Sequence, residues 1–238
     1  MVKWMKISGI IGMIFTFLFF VYSIFLIFVM KGFLNFTTLL GLISKTGISD
    51  GLGTGFIIFS YIFSGIGVIL SLIFIYGFFK MGKYTKSKLL EISAKIMIIL
   101  YLLIIFLIIL ISLKILALPL LILCILIIFL WIIFIVLFFI GLIEVQDKVK
   151  YSRLSGILSL IFFSLLPILY MGSIMGGIFV TMQTIASASL PSSGMITIII
   201  LIIFGIEIIY SAIVLILMSL SLLDASKKFE NIPSNKIY

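Results

Sequence analysis

The chain has 238 residues, of which 65% are hydrophobic and 10% are charged, and its net charge is +9. A soluble domain is roughly half apolar and about a quarter charged, and a folded protein of this size still exposes a large surface to its solvent. The composition therefore excludes a water-soluble globular domain and predicts that most side chains face lipid.

Residues that most cofactor and metal sites need are missing. The chain has no histidine, and its single cysteine, Cys124, lies in an apolar run. Haem ligation, a histidine-based zinc site, a Cys/His nucleophile pair and an intrachain disulfide are thereby excluded. There are also no paired carboxylates and no phosphate-binding glycine loop. We expect no cofactor, no metal and no enzymatic activity.

The apolar runs predict an all-α, polytopic bundle of about six transmembrane helices in a single domain, 1–238. A bilayer core of about 30 Å needs about 20 apolar residues per helix, and the alternating pattern of a β-barrel is missing. The apolar stretch 92–143 is too long for one crossing, and Lys114 followed by Pro119 divides it into a hairpin. The predicted spans are approximately 7–30, 55–79, 96–113, 115–143, 154–174 and 195–223.

Two segments between spans have a character of their own. Residues 31–54 carry apolar side chains at helical spacing, which predicts a short interfacial helix over 33–44. Residues 175–194 are small, polar and uncharged. They form either an outer loop or a re-entrant segment, and the pattern favours neither.

The basic residues predict the orientation. With the amino terminus inside, 13 of the 16 lysines and arginines fall on the cytoplasmic side, and only Lys31, Lys45 and Lys114 fall outside. This bias follows the positive-inside rule and places both termini in the cytoplasm of a multi-pass cell-membrane protein. It also explains the net charge, so we expect anionic lipid contacts and no nucleic acid. The inner residues are Lys3, Lys6, Lys80, Lys83, Lys86, Lys88, Lys95, Lys148, Lys150, Arg153, Lys227, Lys228 and Lys236.

The spans also show an internal repeat. In the even-numbered spans, Gly77 is followed by Lys86 and Gly141 by Lys150 at the same offset. Because each unit has two crossings, the pattern predicts parallel repeats of a helical hairpin and an approximate threefold arrangement. Chance similarity between apolar sequences is the alternative. The odd-numbered spans open with a large aliphatic residue, a serine and a small residue: Ile7-Ser8-Gly9, Ile92-Ser93-Ala94 and Leu154-Ser155-Gly156.

A resemblance to known families follows from the connectors. Helical hairpins joined by short basic segments such as GFFKMGKYTKSKLLEISAKI (77–96) resemble uncharacterised archaeal multi-span membrane families, described only as domains of unknown function. The resemblance covers most of the chain. It implies no activity and supplies no site residues.

Glu207 is the only acidic residue deep in a predicted span. A charged side chain at the bilayer centre costs about 2.5–3.5 kcal/mol, so Glu207 should face the bundle or water, or be protonated. One interpretation makes it an intramembrane proton or cation site. The other makes it a neutral group that hydrogen-bonds to Tyr210, Ser211 or a serine of another helix and stabilises packing.

A bend is predicted in the fifth span. Pro167 should kink it, and Gly172 and Gly176 follow, so these three residues are a candidate hinge. Asp147 and Asp224, each close to lysines, are predicted to be solvated connector charges.

We expect a structural or accessory membrane component that packs against itself or a protein partner, because buried polar groups are scarce. The alternative is a small transporter or channel in which Glu207 binds the ion.

Overall fold

The all-α prediction is confirmed. A computed structural model describes residues 2–43, 49–112, 118–165 and 193–230, with side chains described mainly in 2–24, 62–107, 126–165 and 202–230. In these ranges the chain forms helices and no strand. They are α1 (Val2–Ile43), α2 (Ser49–Thr85), α3 (Lys88–Ser112), α4 (Leu118–Glu144), α5, whose described part is Ser152–Leu165, and α6 (Ser193–Glu230).

Within the residues that the structure describes, five helical segments are long and apolar enough to cross a membrane. In a bilayer each must satisfy its own backbone hydrogen bonds, which an α-helix does. The chain is therefore a helical membrane protein. The qualifying segments are Val2–Ile24, Gly65–Thr85, Lys88–Leu107, Leu126–Glu144 and Gly205–Glu230.

The helices extend beyond the predicted spans. The 42 residues of α1 correspond to about 60 Å of helix, twice the hydrocarbon thickness, so a helix end does not mark a membrane boundary. Residues 33–43 of the predicted interfacial helix are helical, as the last part of α1. Their position at the membrane surface stays a prediction. Lys114 and residues 175–192 lie outside the described residues.

The chain divides into two compact units. Unit one comprises Met1–Phe15, Val68–Leu160 and Val214–Tyr238, and unit two comprises Thr16–Gly67 and Ile161–Ile213. Unit one holds both described connectors, α2–α3 and α4–α5, together with the start of α1 and the end of α6.

Aromatic and aliphatic side chains form the core of unit one. Phe78 is fully buried, and its ring meets Phe74 and Phe138 edge-on, with centroids 5.2 and 5.1 Å away. Such edge-to-face geometry is the favoured one for aromatic pairs. A second cluster, between α3 and α4, centres on Leu100, Leu107 and Ile127.

Small residues allow the helices of unit one to approach closely. A Cβ atom on Gly12 would overlap the Phe74 ring of α2 and the Ser219 hydroxyl of α6. Gly77 lies against Ser8, whose Oγ donates to the carbonyl oxygen of Ile73 at 2.8 Å. Because lipid is as apolar as the helices, such close contacts and interhelical hydrogen bonds drive association.

Candidate functional site

The connector between α2 and α3 is a Schellman turn followed by a serine cap. The N–H of Ser87 donates to the carbonyl oxygen of Gly82 at 3.0 Å, and Lys86 has a φ of 58°. The Ser87 Oγ then accepts the N–H of Leu90 at 3.2 Å. This pattern satisfies the last carbonyls of one helix and the first amides of the next, so α3 begins two residues after the left-handed Lys86.

This connector is bonded to the end of α4. The hydroxyl of Ser87 donates to Oε2 of Glu144 at 2.5 Å, and the ammonium of Lys148 donates to the carbonyl oxygen of Thr85. Thr85 and Ser87 are both buried. We call these four residues the first junction. Both bonds involve a charged group, and such bonds are stronger than those between neutral groups.

The connector between α4 and α5 is bonded to the end of α6 in the same way. The backbone N–H of Lys150 donates to Oδ2 of Asp224 at 2.7 Å, and the ammonium of Lys228 donates to the carbonyl oxygen of Lys148 at 3.2 Å. Lys228 also forms an ion pair with Asp224 at 3.3 Å. We call these four residues the second junction.

The two junctions share one spacing. In each junction the two connector residues are two positions apart in the sequence. The acid and the lysine that they contact are four positions apart. The first connector residue accepts a lysine ammonium through its carbonyl oxygen, and the second donates to the carboxylate. Lys148 belongs to both junctions, as a side-chain donor in the first and a carbonyl acceptor in the second.

Glycines in α1 and α5 also pack in a matching way. A Cβ on Gly9 would lie 3.1 Å from the carbonyl oxygen of Ser219 in α6, and one on Gly156 would lie 2.8 Å from that of Phe139 in α4. In each contact the glycine also meets the side chain four residues further along the partner helix, Leu223 or Ile143. In both contacts the residue whose carbonyl oxygen faces the glycine lies five positions before the acid of a junction, Asp224 or Glu144.

Glu207 lies in unit two, on α6, and is half-buried. Its chain neighbour Ile206 is 60% exposed and Ile208 is 8% exposed, so Glu207 lies at the boundary between the exposed and the buried face. Tyr210, one turn further on, stacks on Phe162 of α5 with ring centroids 5.1 Å apart. Within the described part of the chain, no ion pair or hydrogen bond engages the Glu207 carboxyl.

The other predicted site residues lie outside the structural description. Pro167, Gly172 and Gly176 fall in 166–192, so the hinge stays a prediction. Among the described residues, no three histidine, cysteine, aspartate or glutamate side chains lie close enough to share a metal ion.

The junctions were missed by sequence analysis. The sequence predicts a solvated connector charge at Asp224, yet its side chain is only 21% exposed and contacts both the Lys150 N–H and the Lys228 ammonium. The available signal was an acid followed four residues later by a lysine, at Glu144 and Lys148 and again at Asp224 and Lys228.

Comparison of this chain with protein-family models, with curated proteins and with solved structures returned no match.

Proposed function

We propose that this chain is a non-enzymatic structural or accessory component of the cell membrane that acts through helix packing, with copies of itself or with a partner protein. The observation that carries the proposal is the arrangement of the buried hydroxyl groups. Those of Ser93, Ser155, Ser159, Ser219 and Ser221 donate to carbonyl oxygens of their own helices at 2.6–2.9 Å.

Each of these hydroxyls has used its only proton, and because all five side chains are buried between helices, their remaining lone pairs are closed to a solute. A transport pathway requires polar groups that replace the hydration shell of the permeant species. In the described helices these serines instead act as small residues that permit close packing. This arrangement favours a packing role over a conducting one.

A second candidate is a small transporter or channel that uses Glu207 as a proton or cation site. Two observations support it: an intramembrane carboxyl is a functional candidate by default, and Glu207 has no ionic partner among the described residues. Its half-buried position is compatible with either role.

Reconstitution in liposomes separates the two. Vesicles that contain the purified chain are loaded with a pH-sensitive or cation-sensitive dye, and flux is followed under an imposed gradient. If the chain has only a packing role, vesicles that contain it should show the same flux as vesicles without protein. A flux that Glu207→Gln abolishes, while Ile206→Gln on the same turn retains it and both variants remain monodisperse, would establish the transporter.

We also infer the orientation of the chain. The distribution of 13 basic residues against three supports cytoplasmic amino and carboxyl termini. In unit one, the connectors α2–α3 and α4–α5, which are rich in lysine, belong to the same compact unit as the start of α1 and the end of α6. This grouping is what a common cytoplasmic face requires.

We further infer three parallel hairpin repeats, α1–α2, α3–α4 and α5–α6. The common spacing of the two junctions supports this inference, as do the matching contacts of Gly9 and Gly156. A circular permutant tests it: a chain that begins at Ser87, joins Glu230 to Val2 through a flexible linker and ends at Lys86 should remain monodisperse in detergent. The matched control is co-expression of two fragments split between Lys86 and Ser87, which carries the same cut in the first junction. Aggregation of the permutant while the split pair stays monodisperse would contradict the repeat.

A further inference from the structure

Lysine and aromatic side chains cluster where the start of α1 meets the end of α2. The ammonium of Lys80 lies 5.0 Å from the ring centroid of Tyr76 and 5.3 Å from that of Phe79. Trp4 meets Tyr76 edge-on, with centroids 5.7 Å apart. We call these four residues the Lys80 cluster. Trp4 is 47% exposed, so the cluster is open to its surroundings.

The cluster has a positive charge that no described carboxylate neutralises. Among the residues the structure describes, the one ion pair joins Lys228 to Asp224, and the Glu144 carboxylate accepts from Ser87. Lys3 and Lys6, on either side of Trp4, are exposed and basic as well. An anionic group is therefore favoured here.

The other two even-numbered helices have an acid at the equivalent position. Gly141, which packs against Leu90, is followed three residues later by Glu144, and the buried Ser221 is followed three residues later by Asp224. Gly77 packs against Ser8 in the same manner, yet three residues later the chain carries Lys80. Where the two junctions contain a carboxylate, the Lys80 cluster has an ammonium, and no carboxylate of the described residues forms an ion pair with it. The cluster can therefore accept an anion from outside the chain.

We propose that the Lys80 cluster binds the phosphate headgroup of an anionic phospholipid. Tryptophan and tyrosine favour the level of the headgroups, and a lysine there attracts anionic lipid. An apolar stripe leads away from Trp4 along α1, through Ile7 and Ile14, which are 42% and 48% exposed. This stripe suits an acyl chain, which a soluble phosphate lacks. The inferred orientation decides only in which leaflet this lipid lies, and the proposal does not otherwise depend on it.

Quenching of Trp4 fluorescence tests the proposal. The chain has two tryptophans, Trp4 and Trp131, so a Trp131→Phe background leaves Trp4 as the reporter. The protein is reconstituted in phosphatidylcholine, and brominated phosphatidylglycerol or brominated phosphatidylcholine is titrated in. Half-maximal quenching should need about fivefold less of the anionic lipid, which corresponds to about 1 kcal/mol for one basic residue.

Three variants make the result specific. Lys80→Gln should remove most of the preference, Lys80→Arg should retain it, and Lys83→Gln, which removes an equal charge one turn away, should leave it nearly unchanged. Equal quenching by the two lipids in the unsubstituted reporter would overturn the proposal. So would an equal loss in Lys80→Gln and Lys83→Gln, which would indicate a diffuse basic surface, and so would displacement of the lipid by millimolar inorganic phosphate.

Discussion

The ammonium of Lys228 donates to the carbonyl oxygen of Lys148 at 3.2 Å, while the Lys148 ammonium donates in turn to the carbonyl oxygen of Thr85. These two lysines in series join three segments that are distant in sequence: the end of α2, the α4–α5 connector and the end of α6. A lysine suits this role because its flexible stem lets the ammonium reach a carbonyl oxygen at a helix end, where the helix dipole favours a cation. In this part of unit one, lysines therefore have a structural role in addition to any role in topology.

Removal of the Asp224 carboxylate should weaken the second junction. Asp224→Ala removes the acceptor of the Lys150 N–H and the ionic partner of Lys228, which keeps its bond to the carbonyl oxygen of Lys148. Because these groups are open to water, the cost should be about 0.5–1.5 kcal/mol. The midpoint of thermal unfolding in detergent should fall by several degrees. Asp147→Ala is the matched control, since Asp147 is exposed and makes no described hydrogen bond. Equal midpoints for the two variants would show that the junction adds no stability.

Gly12→Ala should destabilise unit one. The new Cβ would overlap the Phe74 ring and the Ser219 hydroxyl, so α2 or α6 must shift, and overpacking of this kind costs about 1–3 kcal/mol. Gly205→Ala is the control because a Cβ added there would meet no atom within 4 Å, and alanine favours helix over glycine. Thermal unfolding should separate the two, and a stable Gly12→Ala variant would show that the helices are not in close contact there.

Lys86→Gly should stabilise the protein. Lys86 has a φ of 58°, a left-handed conformation that costs a non-glycine residue about 1 kcal/mol, and it occupies the position after a helix end where glycine is preferred. The unfolding midpoint should rise by a few degrees. Lys83→Gly removes the same charge from within α2, where glycine costs about 1 kcal/mol, so its midpoint should fall. A fall in both variants would mean that the Lys86 charge outweighs the backbone strain.

The fold class follows directly from the sequence because the length and apolar composition of a segment decide whether it can cross the bilayer as a helix. The continuation of α1 through Lys31 to Ile43 was not predicted. One lysine separates two apolar stretches with the same helical period, and a charge does not end a helix as a proline does. The charge of Lys31 predicts the end of the membrane span, whereas the helical backbone continues past it.

The candidate sites were only partly predictable, for a different reason. Glu207 is conspicuous in a sequence because a single carboxyl among isoleucines is costly in lipid. The junctions depend on pairs such as Lys150 and Asp224, which lie 74 positions apart, and on a backbone N–H, which has no sequence signature. The sequence repeat predicts that the connectors are equivalent segments. It does not identify the residues that form hydrogen bonds between each connector and the end of another helix.

The inferred orientation can be checked with single cysteines. In a Cys124→Ser background, Asp147→Cys places a thiol in the exposed α4–α5 connector. Lys45→Cys places one in a segment that the sequence predicts to lie outside the cell and that is not among the described residues. Because basic connectors are retained in the cytoplasm, a membrane-impermeant maleimide should label Lys45→Cys in intact cells and Asp147→Cys only after permeabilisation. The reverse pattern would invert the orientation. It would also move the Lys80 cluster to the outer leaflet, although lipid quenching in a symmetric bilayer would be unchanged, so the two inferences are tested independently.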